Sequence, residues 1–239
     1  MISKNELKYI QSLYHKKVRD EAQVFIAEGG KLVDELLHSH FTIRKIYATS
    51  EWAAANAFPD TTIIEQHELE KISHLATPNQ VLVIAAQKKL THQPVEKNNL
   101  TLVLDGIQDP GNLGTIIRIA DWFGIKQIVS NTDTADVYNP KVIQSTMGSI
   151  IRVDVWYTNI EQWLSSVTVP VYGALLNGNS IYTTPKIKEG ILVIGNESKG
   201  IRSNIMPFIQ QPVTIPGSGH AESLNAAVAT GIILSHLLQ

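Results

Sequence analysis

Apolar residues in this chain fall into short runs separated by polar, glycine-bearing turns. Runs at 24–27, 43–48, 62–65, 81–86, 100–104, 125–130, 152–155, 171–175 and 191–194 have the length and bounding residues of buried strands. Another short strand ends near Ile215. Between these runs lie helical patterns: residues 3–13, 31–38, stretches near Glu51 and Glu68, the segment after Gly114, 142–147, a stretch around Trp163, and 223–238. Strands alternating with helices at this spacing predict an α/β protein. Ser3 with Glu6 three residues on is a capping-box pattern for the first helix. The helix after Gly114 places Ile116, Ile117, Ile119, Ala120 and Phe123 on its apolar side, with Asn112 just outside its start. The closing helix is apolar nearly all round, which predicts burial on most sides. Asn177-Gly178-Asn179 reads as a turn.

Residues 88–99, KKLTHQPVEKNN, interrupt the alternation. They are polar, contain Pro94 and lack periodicity, so they read as a linker. The expected organisation is an N-terminal domain over 1–92, a linker over 93–99 and a C-terminal domain over 100–239.

Composition narrows the class. There is no cysteine, which excludes disulfides and thiolate metal sites. His220 and His236 stand apart, and no metal-ligand cluster is expected. The N-terminal residues lack an apolar signal core, and the apolar run 226–234 is far short of the ~20 residues a bilayer span needs. The expectation is a cytoplasmic globular protein. The formal net charge of −2 argues against a general nucleic-acid coat, but not against one concentrated basic patch. Lys4, Lys8, Lys16, Lys17 and Arg19 make the N-terminal end basic. On composition alone this run reads as a solvated helix face rather than as a phosphate-contact surface.

The chemistry concentrates in three places. The strand at 191–194 runs into GNESKG, residues 195–200, and the next strand runs into IPGSGHAESLN, residues 215–225. Both turns place backbone N–H and C=O groups at strand ends, where open α/β sheets bind ligands. The third place is Asn112-x-Gly114-x-x-x-Arg118, in which Gly114 and Arg118 share a helix face.

In order and spacing, these three stretches resemble the motifs of the SpoU–TrmH RNA ribose methyltransferases, across the last 140 or so residues. The resemblance implies a parallel-sheet α/β domain with a trefoil knot, dimerising through its C-terminal region. It implies transfer of a methyl group from S-adenosylmethionine to a ribose 2′-hydroxyl, with no metal. Arg118, Asn112, Glu197, Ser223 and Asn225 are then the catalytic candidates. Leu175, Gly195, Asn196, Gly200, Ile215, Pro216, Ser223 and Leu224 are the cofactor-binding candidates. Relatives carry a small α/β RNA-binding domain ahead of the methyltransferase domain, similar to the FIAEGGKLVDELL stretch here. Lys16, Lys17, Arg19, Glu28 and Lys141 are the candidate RNA contacts, whereas Phe25 and Gly29 read better as a core aromatic and a turn glycine. Large-subunit ribosomal RNA is the favoured substrate. The alternatives are a tRNA 2′-O-methyltransferase and a non-catalytic RNA-binding or ribosome-assembly protein that retains the pocket.

Overall fold

The computed structural model describes residues 2–90, 95 and 98–238. The proposed boundary at His92 and most of the 93–99 linker lie outside the described residues. The chain forms two compact units, one of Met1–Lys89 with Tyr138–Ile151, the other of Leu90–Val137 with Arg152–Gln239.

The first unit opens with helices α1 (Lys4–Ser12) and α2 (Lys16–Ala22). There follow β1 (Val24–Glu28), α3 (Gly30–Leu37), β2 (Ile43–Ala48), α4 (Ser50–Ala55), β3 (Thr61–Ile63), α5 (Gln66–Ile72) and β4 (Val81–Ala86). Its sheet has the order β1-β4-β2-β3, antiparallel except for the β2–β3 pair. Alternation divides the strands between two cores. Ile26, Leu82 and Ile84 pack with Ile10 and Leu13 at α1 and with Leu69 and Ile72 of α5. Phe25, on the other face, packs on Phe41 and stacks on Tyr138, with ring centroids 5.5 and 5.0 Å away.

Tyr138 belongs to the segment that the sequence assigns to the C-terminal domain. That segment carries the helix Pro140–Ser145, which packs on β1, and Gln144 Nε2 donates to the Glu28 carbonyl at 3.0 Å. The first unit is therefore discontinuous in sequence. The expected capping box at Ser3 is half formed. Ser3 Oγ accepts from Glu6 N–H at 3.2 Å, while the Glu6 carboxylate accepts from the Tyr47 hydroxyl.

The second unit is built on β5 (Leu100–Asp105), whose six residues are all buried. Continuous burial on both faces is what a central parallel strand requires. The chain continues through α6 (Pro110–Trp122), β6 (Gln127–Asn131), the Pro140–Ser145 helix (α7), β7 (Asp154–Thr158), α8 (Ile160–Leu164), β8 (Val171–Ser180), β9 (Gly190–Gly195), β10 (Gln211–Thr214) and α9 (Ala226–Leu238). All six strands are parallel, in the order β10-β8-β9-β5-β6-β7. Val103, Val129, Val171, Ile191 and Val193 meet Ile160, Trp163 and Leu164 of α8 on one face. Leu102, Leu104, Leu192 and Ile194 alternate with that set and are also buried, and α9 packs on α6 and β9.

The closing helix begins at Ala226 rather than at residue 223, and two further differences from the sequence reading bear on the loops at the sheet edge. α6 begins at Pro110 with Asp109 as its cap, because Asp109 Oδ1 accepts from Asn112 N–H at 2.8 Å and proline suits the first helical position. Asn112 is thus inside the helix. Asn177-Gly178-Asn179 is not a turn but part of β8. The β8–β10 register jumps there, from Pro212↔Gly173 to Val213↔Asn179. A Cβ on Gly178 would lie 2.8 Å from the Pro212 carbonyl carbon, so glycine permits the close approach of the two strands.

Candidate active site

Because the strands of the second unit are parallel, the loops after β5, β9 and β10 all leave from one edge of the sheet. Three of the predicted residues meet there in a polar chain. Asn225, at the start of α9, accepts from the N–H groups of Ala227 and Val228 through Oδ1, at 2.9 and 3.2 Å. Its Nδ2 donates to Asn112 Oδ1 at 2.8 Å. Asn112 Nδ2 in turn donates to Glu197 Oε1 at 2.9 Å. Each amide uses its oxygen on one side and its nitrogen on the other, so one flip breaks two contacts.

Glu197 is heavily engaged. Besides Asn112 it accepts from Gln108 N–H at 3.4 Å, Asp109 N–H at 3.3 Å and Asn196 Nδ2 at 3.4 Å. Four donors occupy this one carboxylate and leave it an orienting role. Asn196 folds the turn after β9. Its Oδ1 accepts from the N–H groups of Ser198 and Lys199, both at 3.0 Å, and its Nδ2 donates to the Gly106 carbonyl at 2.7 Å. Asn196 and Gly200 exchange backbone hydrogen bonds of 3.0 and 2.9 Å. A Cβ on Gly195 would lie 2.3 Å from Gly200 C and 2.4 Å from Ile201 N, so this turn requires glycine.

The other predicted residues stand apart from that chain. Arg118 is exposed on α6 and makes no hydrogen bond or ion pair with any described residue. Ser223 is exposed and forms no hydrogen bond with a described residue. Ile215 is half-buried, while Pro216 and Leu224 are exposed. Leu175 lies in β8 just past Gly173, where β8 stops pairing with β9, and packs partly against the core of the unit.

The predicted RNA contacts in the first unit need correction. Arg19 is 1% exposed, and its Nη1 donates to the carbonyls of Leu13 and Tyr14, so it holds the end of α1 inside the fold. Glu28 is also buried. It accepts from the Tyr14 hydroxyl at 2.7 Å and from the Ser73 hydroxyl. Neither side chain reaches the surface. Burial beside this carboxylate pushes the Tyr14 hydroxyl well above the ordinary phenol range. Lys16 and Lys17 are exposed and pair with Asp20 and Glu21 one turn on, at 2.6 and 4.0 Å. Lys141 is exposed on α7.

Sequence reasoning missed Asp105 and Arg202. A carboxylate closing the otherwise apolar run LTLVLD is a local signal, but its partner lies 97 residues away. Among the described residues, no cluster of three or more His, Asp or Glu side chains could hold a metal ion, and no helix is long and apolar enough to cross a membrane.

With this geometry established, likeness to known proteins becomes decisive. Residues 99–235 match the model of the SpoU rRNA Methylase family. The chain belongs to that family. Residues 4–83 match the MRM3-like substrate binding domain. The chain is 31% identical to the 23S rRNA (guanosine(2553)-2′-O)-methyltransferase RlmP of Bacillus subtilis over 237 residues, 95% of this chain and 93% of that protein. A TrmH-family structure from Porphyromonas gingivalis superposes with a TM-score of 0.91 at 38% identity, covering 100% of this chain and 98% of that one. The AdoMet-bound rRNA methyltransferase of Sinorhizobium meliloti gives 0.87 at 30% identity, covering 99% and 96%.

The cofactor of the SpoU family is S-adenosylmethionine, and the residues here fit it. Residues 215–224 form no backbone hydrogen bond with a described residue, so their N–H and C=O groups are available to a ligand. Gly217 and Gly219 have open space where a Cβ would stand. The loops after β9 and β10, with Leu175 of the intervening β8, would hold the nucleoside through plain backbone and apolar contacts.

Proposed function

We propose that this SpoU-family chain methylates the 2′-hydroxyl of a ribose in large-subunit, 23S-type ribosomal RNA. The observation that carries the reading is the Asn225–Asn112–Glu197 chain, which ties all three sequence motifs into one edge of the sheet. The match to RlmP over 93% of its length supports ribosomal RNA over tRNA, and the likeness of residues 4–83 to a substrate-binding domain supports a role for the N-terminal unit in holding the substrate.

Bound S-adenosylmethionine supplies a methyl group already activated by the sulfonium charge. The protein's share is alignment and proton management. A guanidinium holds its proton too tightly to serve as a simple base, which gives Arg118 a different role. Its exposed fork instead binds the phosphate beside the target ribose and stabilises negative charge developing on the 2′-oxygen. The proton passes to that phosphate or to solvent, because the Glu197 carboxylate is already engaged by four donors. Ser223, which has no hydrogen bond to a described residue, completes the hydrogen bonds to the bound groups. Lys141, Lys16 and Lys17 supply RNA phosphate contacts.

We further read the active form as a cytoplasmic homodimer with a knotted C-terminal segment. Trp122, 82% exposed at the end of α6, and the half-exposed Leu224 and Val228 at the start of α9 supply apolar surface for such an interface.

Mapping ribose methylation in total RNA from cells with and without this protein tests the assignment. One 2′-O-methyl mark in large-subunit RNA is expected to vanish. In vitro, Arg118→Ala should lower transfer at least 100-fold, on the scale of a lost charge-stabilising group, with S-adenosylmethionine affinity nearly unchanged by calorimetry. Transfer at the wild-type rate would remove Arg118 from its role.

A further inference from the structure

Asp105 closes β5 with a side chain that has no solvent exposure. A buried carboxylate needs a partner, and Arg202 supplies it. Asp105 Oδ2 accepts from the Arg202 backbone N–H at 2.8 Å. Its Oδ1 has no hydrogen-bond partner among the described residues and lies 3.4 Å from Arg202 Nε, so the guanidinium alone balances that oxygen. The far end of the same guanidinium donates through Nη2 to Asp133, in the turn after β6. β9, β5 and β6 are neighbours in the sheet, so one side chain crosses the ends of three strands. Gly106 leaves its path open. With φ at +80°, a Cβ there would lie 2.6 Å from Arg202 Nη2.

The crossing stands where strand pairing stops. β5 and β9 pair as far as Asp105↔Gly195. Immediately beyond, one loop presents the Gln108 and Asp109 N–H groups and leads into Asn112, while the other presents Asn196 and Glu197. Any change in the spacing of these loops shifts Glu197 against Asn112, and with it the start of α9.

We propose that Asp105 and Arg202 are positioning residues for methyl transfer. Their ion pair, anchored outward on Asp133, sets the separation of the loop bearing Asn112 and the loop bearing Glu197. The inference rests on the methyltransferase reading. It predicts that loosening the pair spoils alignment before it spoils the fold.

Arg202→Ala would strand a buried charge and could unfold the protein. Two gentler changes serve better: Arg202→Lys, which keeps the charge and loses the fork, and the double variant Asp105→Asn with Arg202→Gln, which leaves no buried charge. Both are expected to melt cooperatively, to keep the wild-type KM for RNA, and to lose on the order of 10- to 100-fold in kcat. Hydrogen exchange should quicken at amides 106–109 and 196–201 while protection in β5 and β9 stays. A lower melting temperature with unchanged kcat per folded molecule and unchanged loop exchange would overturn the inference and leave the methyltransferase reading intact. If the wild-type protein transfers no methyl group, that reading falls. The exchange pattern then decides alone, faster loops supporting the pair's role and unchanged loops refuting it.

Discussion

Asn112 is placed so that its chemistry depends on which end of its amide faces which neighbour. Replacing it with aspartate would set a carboxylate against Glu197 Oε1, now 2.9 Å from Nδ2. Two carboxylates at that distance cannot both ionise, so the pair should hold a proton to higher pH than either would alone. At neutral pH Asn112→Asp should therefore lose most activity. As pH falls, protonation restores a donor between the two groups, and the pH–rate profile should shift to the acid side of wild type. An unshifted profile would mean that the contact has no bearing on catalysis. The convergence of Asn112, Glu197 and Asn225 was legible in the sequence only through the combined spacing of the motifs. The fates of Arg19 and Glu28 were not. A basic residue in a basic run and an acid beside a glycine turn look solvated until the fold supplies buried carbonyls and hydroxyls as partners.

At the scale of elements, most strands and helices could be read from periodicity, because most apolar runs are buried, the short edge strand with its exposed Ile63 being an exception. The failures lie where backbone meets backbone. Asn177-Gly178-Asn179 has turn composition, yet the bare glycine lets β10 pass close by, and nothing local in the sequence separates these two uses. End contacts also tune helices beyond what propensity reveals. The Glu68 carboxylate accepts from Glu65 N–H at 3.1 Å and Ile2 N–H at 2.8 Å, and these bonds hold its carboxyl below the ordinary glutamate value. A lowered folded value stabilises the protein above the unfolded pKa of about 4.3 and stops doing so as pH falls through the folded one. Glu68→Gln should thus be less stable than wild type at neutral pH, with the two melting temperatures converging as the medium becomes acidic. A gap that persists at acid pH would assign the effect to packing.

For the molecule as a whole, a net charge of −2 means that RNA must be held by local groups, and two of the predicted cations already have acidic neighbours one turn on. The larger architectural lesson is the discontinuity of the first unit. A fragment ending at Lys89 would lack Tyr138 and α7, leaving Phe25 uncovered on one side. That loss is on the order of 2 kcal/mol for one large apolar side chain. The fragment should melt well below the intact protein by circular dichroism, and adding residues 138–151 through a flexible tether should raise its midpoint. An equal midpoint without the segment would make α7 dispensable.

The same discontinuity sets a timetable for synthesis. Chains usually fold from the front as they leave the ribosome, each domain closing once its last residue is out. Here the N-terminal body is complete only with Ile151, by which time β5, α6 and β6 have also emerged. Until then Phe25 lacks its stacking partner and β1 lacks the helix that packs on it, so a nascent chain stalled before that point offers chaperones an unfinished apolar face.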